Sequence, residues 1–312
     1  MNIKNVTVAG GGVLGSQIAF QSAFCGFKVT IWLRSEGSIE RAQPKINRLK
    51  EIYINTMEAM KVNPQAYCRG FTDKTELSDA EINQLISKVE SAYENIKLTT
   101  SYEEAAEDAD LIIEAIAEDP KQKIPFYQEL AKYMPEKTIL VTNSSTMLPS
   151  TFAEYTGRPA KYLALHFANE IWKNNTAEVM GHSGTEQKYY DEVVEFAENI
   201  NMVPLQLKKE QPGYILNSML VPFLSAAEAL YANEVADPET IDKTWMLATG
   251  APTGPFRILD VVGLTTAYNI VIMNPEAKDP TTTPGKIAAK LKEKIDEGKT
   301  GINAGEGFYK YN

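Results

Sequence analysis

The chain has 312 residues, 44% of them hydrophobic, with two cysteines, two histidines and a formal net charge of −10. That length allows two domains with ample core; the charge argues against nucleic acid and acidic membranes as partners, and no apolar run nears the roughly 20 residues that span a bilayer. Cys25 and Cys68 make no disulfide framework and the start lacks a basic-then-apolar leader, which points to the cytoplasm, and the few scattered Cys and His argue against a metal centre.

The first predicted element is a β-branched strand, Val6-Thr7-Val8-Ala9, running into Gly10-Gly11-Gly12-Val13-Leu14-Gly15 and at once into a helix. In this context each glycine has a task. Gly10 makes the tight turn, Gly12 lets backbone approach a pyrophosphate, and Gly15 lets the helix sit close on the strand. The phosphates then meet the helix N–H groups, those of Val13 and Leu14 included, and the positive end of its dipole. A site for NAD, NADP or FAD is the expectation. Residues 28–33 read as the second strand, whose tip normally carries an acid for the ribose 2′-hydroxyl of NAD. Here that position is Leu33, followed by Arg34 and Ser35. A carboxylate repels a 2′-phosphate, whereas a guanidinium beside a hydroxyl binds one by charged hydrogen bonds, so NADP is favoured over NAD.

Residues 38–62 and 78–94 read as two long charged helices joined by a polar loop, a helical insertion over about 38–94. Strands follow at 96–100 and at 110–116, the latter from a continuous apolar run. Glu118-Asp119-Pro120 opens a helix with the acids and proline that first turns prefer. Further strands are expected at 138–142, 162–166, 177–180 and 203–207. Pro212 is expected to start a long apolar helix, and the rest reads as helices broken at Pro238, Gly250-Ala251-Pro252, Gly263 and Pro275. The fold class is therefore α/β. A Rossmann-type domain with a mainly parallel sheet is expected over 1–208, then an all-α domain over 209–312.

Candidate chemistry gathers around His166, at the end of an apolar strand where α/β sheets present ligands. A histidine beside apolar residues is more often a satisfied core residue, but three other polar groups shift the balance. Ser145, in Asn143-Ser144-Ser145-Thr146, follows the fifth strand. Glu178 occupies an apolar segment where a lone charge is costly. Asn217 interrupts the apolar start of the first helix of the second domain. Taken singly, Ser145 reads equally as a loop hydroxyl and Asn217 as a cap or buried hydrogen-bonding group.

With these residues in place, the chain resembles the L-3-hydroxyacyl-CoA dehydrogenase family from Val6 to Tyr311. The family's glycine motif matches Gly10, Gly12 and Gly15, and its catalytic serine, within Asn-Thr-Ser-Ser, falls on Ser145 beside Asn143. Its catalytic histidine, in His-Phe-x-Asn-Pro, falls on His166, its acidic partner on Glu178, and its substrate-site asparagine, in Pro-Gly-Phe-x-x-Asn-Arg, on Asn217. A cofactor-site pair falls on Glu118 and Lys123, and Asn143 is a further cofactor-binding candidate. Gly254-Pro255-Phe256, Leu259-Asp260, Gly263-Leu264 and the closing Gly305-Glu306-Gly307-Phe308-Tyr309 also match. Departures are Glu170 for the proline after Asn169, Ser218 for the arginine after Asn217, and Leu33 for the acid. No CoA-contacting lysine aligns.

The resemblance implies hydride transfer between NAD(P) and the C3 hydroxyl or ketone of a 3-hydroxyacyl-CoA. His166 would be the acid–base group, Glu178 its partner, and Ser145 and Asn217 would hydrogen-bond the reacting oxygen and neighbouring carbonyl. It also implies a homodimer through the helical domain, which the apolar Leu220, Val221, Phe223, Leu224 and Leu230 suit. Two alternatives stay open. One is a dehydrogenase of a free hydroxy acid or polyol acid such as L-gulonate, supported by Glu170, Ser218 and the acidic charge. The other is a non-catalytic nucleotide-binding or structural protein.

Overall fold

The computed structural model describes residues 3–311. It divides into two compact units, 1–215 and 216–312. The first is an α/β unit built in the order β1 (Asn5–Ala9), α1 (Val13–Phe24), β2 (Lys28–Trp32), α2 (Glu36–Val62), α3 (Asp79–Asn95) and β3 (Lys97–Thr99). It continues with α4 (Tyr102–Ala106), β4 (Leu111–Glu114), α5 (Pro120–Leu130), β5 (Ile139–Thr142), β6 (Tyr162–Phe167), β7 (Thr176–Met180), α6 (Gln187–Asn199) and β8 (Val203–Gln206).

The eight strands form one sheet in the order β3-β2-β1-β4-β5-β6-β7-β8. All pairs are parallel except β6 with β7. The strand order reverses between β1 and β4, so loops leaving their carboxyl ends part there and leave a crevice. The central strands β4, β5 and β6 are buried throughout, which is why they read as unbroken apolar runs. Helices α2 and α3 bury residues at helical spacing, Ala42, Ile46, Leu49, Tyr53 and Met57 on one and Ile82, Leu85, Val89 and Ala92 on the other. These join the core beneath α1. A capping box sets the start of α3: Ser78 Oγ accepts from Glu81 N–H, and the Glu81 carboxylate accepts from Ser78 N–H.

The second unit is helical: α7 (Leu216–Ala232), α8 (Pro238–Thr249), α9 (Pro255–Val262), α10 (Leu264–Val271) and α11 (Thr283–Asp296). Leu224, Phe256, Leu259, Leu264 and Leu291 centre its core. Buried Asp260 ties the closing segment to α9 by accepting from Phe308 N–H, Tyr309 N–H and the Tyr311 hydroxyl at 2.7, 2.9 and 2.8 Å. Among the described residues no helix is long and apolar enough to cross a membrane.

Two boundaries differ from the sequence expectation. The helix expected from Pro212 begins at Leu216, because Gly213 and Tyr214 have φ of 77° and 56°, left-handed values no helix can contain. The unit boundary consequently lies after Ile215 rather than near 208. Helix α4, five residues capped by Ser101, was too short to leave a periodic signature.

Candidate active site

The antiparallel pairing of β6 with β7 sets His166 directly opposite Glu178. Opposed residues on neighbouring strands project to the same face, so register alone brings imidazole and carboxylate together. His166 Nδ1 lies 3.0 Å from Glu178 Oε2, with the two residues 7% and 4% exposed. An ionised carboxylate only accepts, so Nδ1 carries the hydrogen and Nε2 is left as the free lone pair. Nε2 lies 3.2 Å from Ser145 Oγ. The second Glu178 oxygen accepts from Ile215 N–H at 2.9 Å.

Ser145 is held by its loop. Its backbone N–H donates to Glu118 Oε1 at 2.6 Å, and the neighbouring Ser144 hydroxyl donates to Glu118 Oε2 at 2.7 Å. Asn143 is buried at the end of β5, where its side-chain oxygen accepts from Phe167 N–H at 3.0 Å and so locks the serine loop to the histidine strand. Ser145, His166 and Glu178 thus form one hydrogen-bonded chain. Asn217 belongs to the second unit, in the first turn of α7.

The glycine loop crosses the carboxyl edge of the sheet at the crevice. Gly10 has φ of 124°, and a side chain there would strike the Ala115 carbonyl. A Cβ on Gly12 would meet nothing within 4 Å. Gly12 caps α1, whose first turn carries no acid. Free helix N–H groups facing open space are a cradle for a pyrophosphate. The adjoining cleft, about 680 Å³, is lined by Gly10, Gly12, Leu33 and Arg34, with Ser38, Arg41 and Lys45 from α2. Leu33 is buried but forms part of the wall, and Ser35 Oγ sits 3.0 Å from Ser38 Oγ. Val13 is exposed beside the loop, and Leu14 packs against the core.

Several site residues escaped the sequence reading. Glu114 is one: Lys123, read with Glu118 as a cofactor-site residue, lies 3.9 Å from Glu118 but 2.5 Å from Glu114. Lys123 and Glu114 are 1% and 0% exposed. Glu114 also accepts from Tyr127 and Thr142 hydroxyls at 2.6 and 2.8 Å, so its charge is fully satisfied. Burial and the nearby Glu114 carboxylate push the Tyr127 and Tyr162 phenols well above their ordinary range. An acid ending the apolar run Leu111-Ile112-Ile113-Glu114 was the available signal. Arg41 and Ser38 were missed as well, although Arg34, Ser38, Arg41 and Lys45 recur at helical spacing.

Comparison with known proteins decides the family. The 3-hydroxyacyl-CoA dehydrogenase NAD binding domain matches residues 5–211, and the C-terminal domain of the same family matches 213–311. This chain belongs to the 3-hydroxyacyl-CoA dehydrogenase family. Human mitochondrial hydroxyacyl-coenzyme A dehydrogenase is 31% identical, over 99% of this chain and 91% of its own. A 3-hydroxybutyryl-CoA dehydrogenase from Clostridioides difficile is 30% identical, over 98% and 99%. Among solved structures, a diketoreductase described as carrying out substrate-directed dual catalysis of dicarbonyl compounds is 46% identical over the whole of both chains, with a TM-score of 0.85. Within this family the first unit is an NAD-binding domain, and the chain is an oxidoreductase of the 3-hydroxyacyl-CoA dehydrogenase type.

Proposed function

We propose that this protein transfers hydride between NAD(P) and carbon 3 of a 3-hydroxyacyl-CoA or its 3-keto counterpart, with His166 as the acid–base group. The observation that carries the reading is the unbroken chain from Ser145 Oγ through His166 to Glu178. When bound, the nicotinamide accepts or supplies the hydride. In the oxidative direction His166 Nε2 takes the hydroxyl proton, and in reduction it returns a proton to the ketone oxygen. Glu178 holds the tautomer that keeps Nε2 available and stabilises the imidazolium once it forms. Ser145, its backbone held by Glu118, would turn its one hydroxyl hydrogen from Nε2 to the reacting oxygen when substrate binds. Asn217 is assigned its substrate-binding role on the sequence match alone.

The cofactor reading is NADP(H). Leu33 removes the acid that rewards a free 2′-hydroxyl, and Arg34, Ser38 and Arg41 line the same cleft. Arg41 Nη2 already donates to Ser38 Oγ at 2.9 Å, so guanidinium and hydroxyl point to one spot. We also read the protein as a homodimer through its helical unit and as cytoplasmic, where the free thiols Cys25 and Cys68 stay reduced.

A second reading replaces the CoA thioester by another carbonyl group, and the 46% identity to the diketoreductase favours it. Both readings share one reacting element, a ketone in a molecule that carries a second carbonyl. Initial rates with acetoacetyl-CoA against CoA-free 3-keto esters and keto acids, each with NADPH and NADH, test the choice. The first reading expects kcat/KM for the CoA ester to exceed that of any free compound by at least about tenfold. Turnover confined to CoA-free dicarbonyls transfers the function to the second reading, and no turnover with either overturns both.

A further inference from the structure

The turn that closes the first unit contacts His166, Glu178 and the residue preceding Ser145, and a strained residue stands in it. Tyr214 is 1% exposed and has a φ of 56°, left-handed geometry that a bulky side chain adopts only when its surroundings enforce it. Its ring lies over the imidazole of His166, centroids 4.4 Å apart and planes within 14° of parallel. Its hydroxyl donates to the Ser144 carbonyl at 2.6 Å, one residue before Ser145. The next backbone N–H, that of Ile215, donates to the Glu178 oxygen that His166 leaves unused. Ring, hydroxyl and following amide therefore address histidine, serine loop and carboxylate in turn. A core aromatic needs only apolar neighbours; this one spends an unfavourable backbone conformation to face an ionisable ring.

We propose that Tyr214 is a positioning residue for His166, fixing the plane of the imidazole and favouring its protonated form by presenting an electron-rich face to it. A cation held within about 6 Å of an aromatic centroid is attracted by the ring's quadrupole, and desolvation strengthens the effect. The imidazolium is the species His166 becomes on taking the substrate proton, so the contact strengthens as the reaction proceeds. This rests on His166 being the acid–base group. The charged groups that act on Tyr214 are Glu118 behind the serine loop, Glu178 from β7 and Glu114 from β4, and none of them changes in the variants below.

The chain has two histidines, so selectively labelled histidine gives an NMR spectrum with His182 as internal control for His166. His182 is held elsewhere, by the Pro159 carbonyl at 2.9 Å. Tyr214→Phe and Tyr214→pentafluorophenylalanine both lose the hydroxyl and keep a ring, so they differ from each other in the electrons of that ring. The His166 signal of the fluorinated protein is expected to titrate about half a pH unit below that of Tyr214→Phe, with His182 unmoved. In turnover, Tyr214→Leu is expected to fall about tenfold below Tyr214→Phe in kcat with the cofactor KM unchanged. If Tyr214→Leu does not fold, the two aromatic variants decide alone. Identical His166 titrations in that pair overturn the proposal, because a merely space-filling ring is blind to fluorination. The titration needs no substrate, so it is independent of the catalytic reading, which falls instead if His166→Ala turns over normally.

Discussion

A histidine becomes a directed acid–base group only when its second nitrogen is committed elsewhere, and Glu178 makes that commitment from across the strand pair. The cofactor cleft poses a similar question of which charges are committed. Among the described residues Arg34 makes only a long 3.5 Å contact to Gln122, which leaves its guanidinium available to a ligand phosphate. Arg41 is steadied by Ser38. A charged hydrogen bond from guanidinium to phosphate contributes roughly 1.5–3 kcal/mol. Arg34→Ala and Arg41→Ala are each expected to weaken NADPH binding by about tenfold or more and leave NADH within about twofold, read as dissociation constants by fluorescence titration. Equal wild-type affinities for the two nucleotides, untouched by either substitution, would show that neither arginine reads the phosphate. Ser145, His166 and Glu178 were legible in the sequence because polar residues stand out in apolar strands and a family pattern joins them. Glu114 stands out in the same way and went unread, since its partners Tyr127 and Thr142 are distant in sequence. Tyr214 went unread although it holds the aromatic position of the Pro-Gly-Phe-x-x-Asn-Arg match: an aromatic residue in an apolar stretch reads as core, and its stacking depends on a left-handed turn.

Among the elements, the central strands β4, β5 and β6 were legible to within a residue or two, because burial on both faces demands continuous apolar runs. The start of α7 was not, since the helix is delayed by two consecutive left-handed residues rather than by any break in polarity. The same helix buries an acid without a full set of partners. Glu228 is 4% exposed, its Oε1 has no hydrogen-bond partner among the described residues, and burial raises its carboxyl from 4.5 to about 7. The unfolded chain ionises this group near 4.5, so between there and about 7 the folded state holds more protons than the unfolded one. Its contribution to stability is therefore greatest below pH 4.5, falls as pH rises and levels off above about 7. Glu228→Met, similar in volume and uncharged, is expected to unfold at a higher temperature than wild type at pH 8, with the gap closing towards pH 4.5. Thermal unfolding followed by circular dichroism across that range checks it. A gap that stays constant with pH would mean that Glu228 is not the group responsible.

For the whole molecule, the sequence carried the α/β-then-helical plan, because the change in patterning after the last strand coincides with a change in architecture. Assembly is the less direct inference. Met219, Leu247, Val261 and Met273 of the helical unit are 62%, 77%, 66% and 81% exposed, a heavy load of bare apolar side chains for a unit of this size. Pairing of two copies through this unit would cover them, and a two-fold dimer is the simplest closed solution. Light scattering at micromolar concentration is expected to give about twice the 34.6 kDa chain mass, and a monomer would contradict the assignment. The central claim is narrower and lies in the first unit, where His166 moves the proton that accompanies the hydride. Its most direct test is the turnover of His166→Ala with acetoacetyl-CoA and saturating reduced cofactor, beside its nucleotide affinity. The account predicts a loss of about two to four orders of magnitude in kcat with nucleotide binding kept within about twofold. Near-normal turnover by that variant, under conditions where chemistry limits the rate, would contradict it.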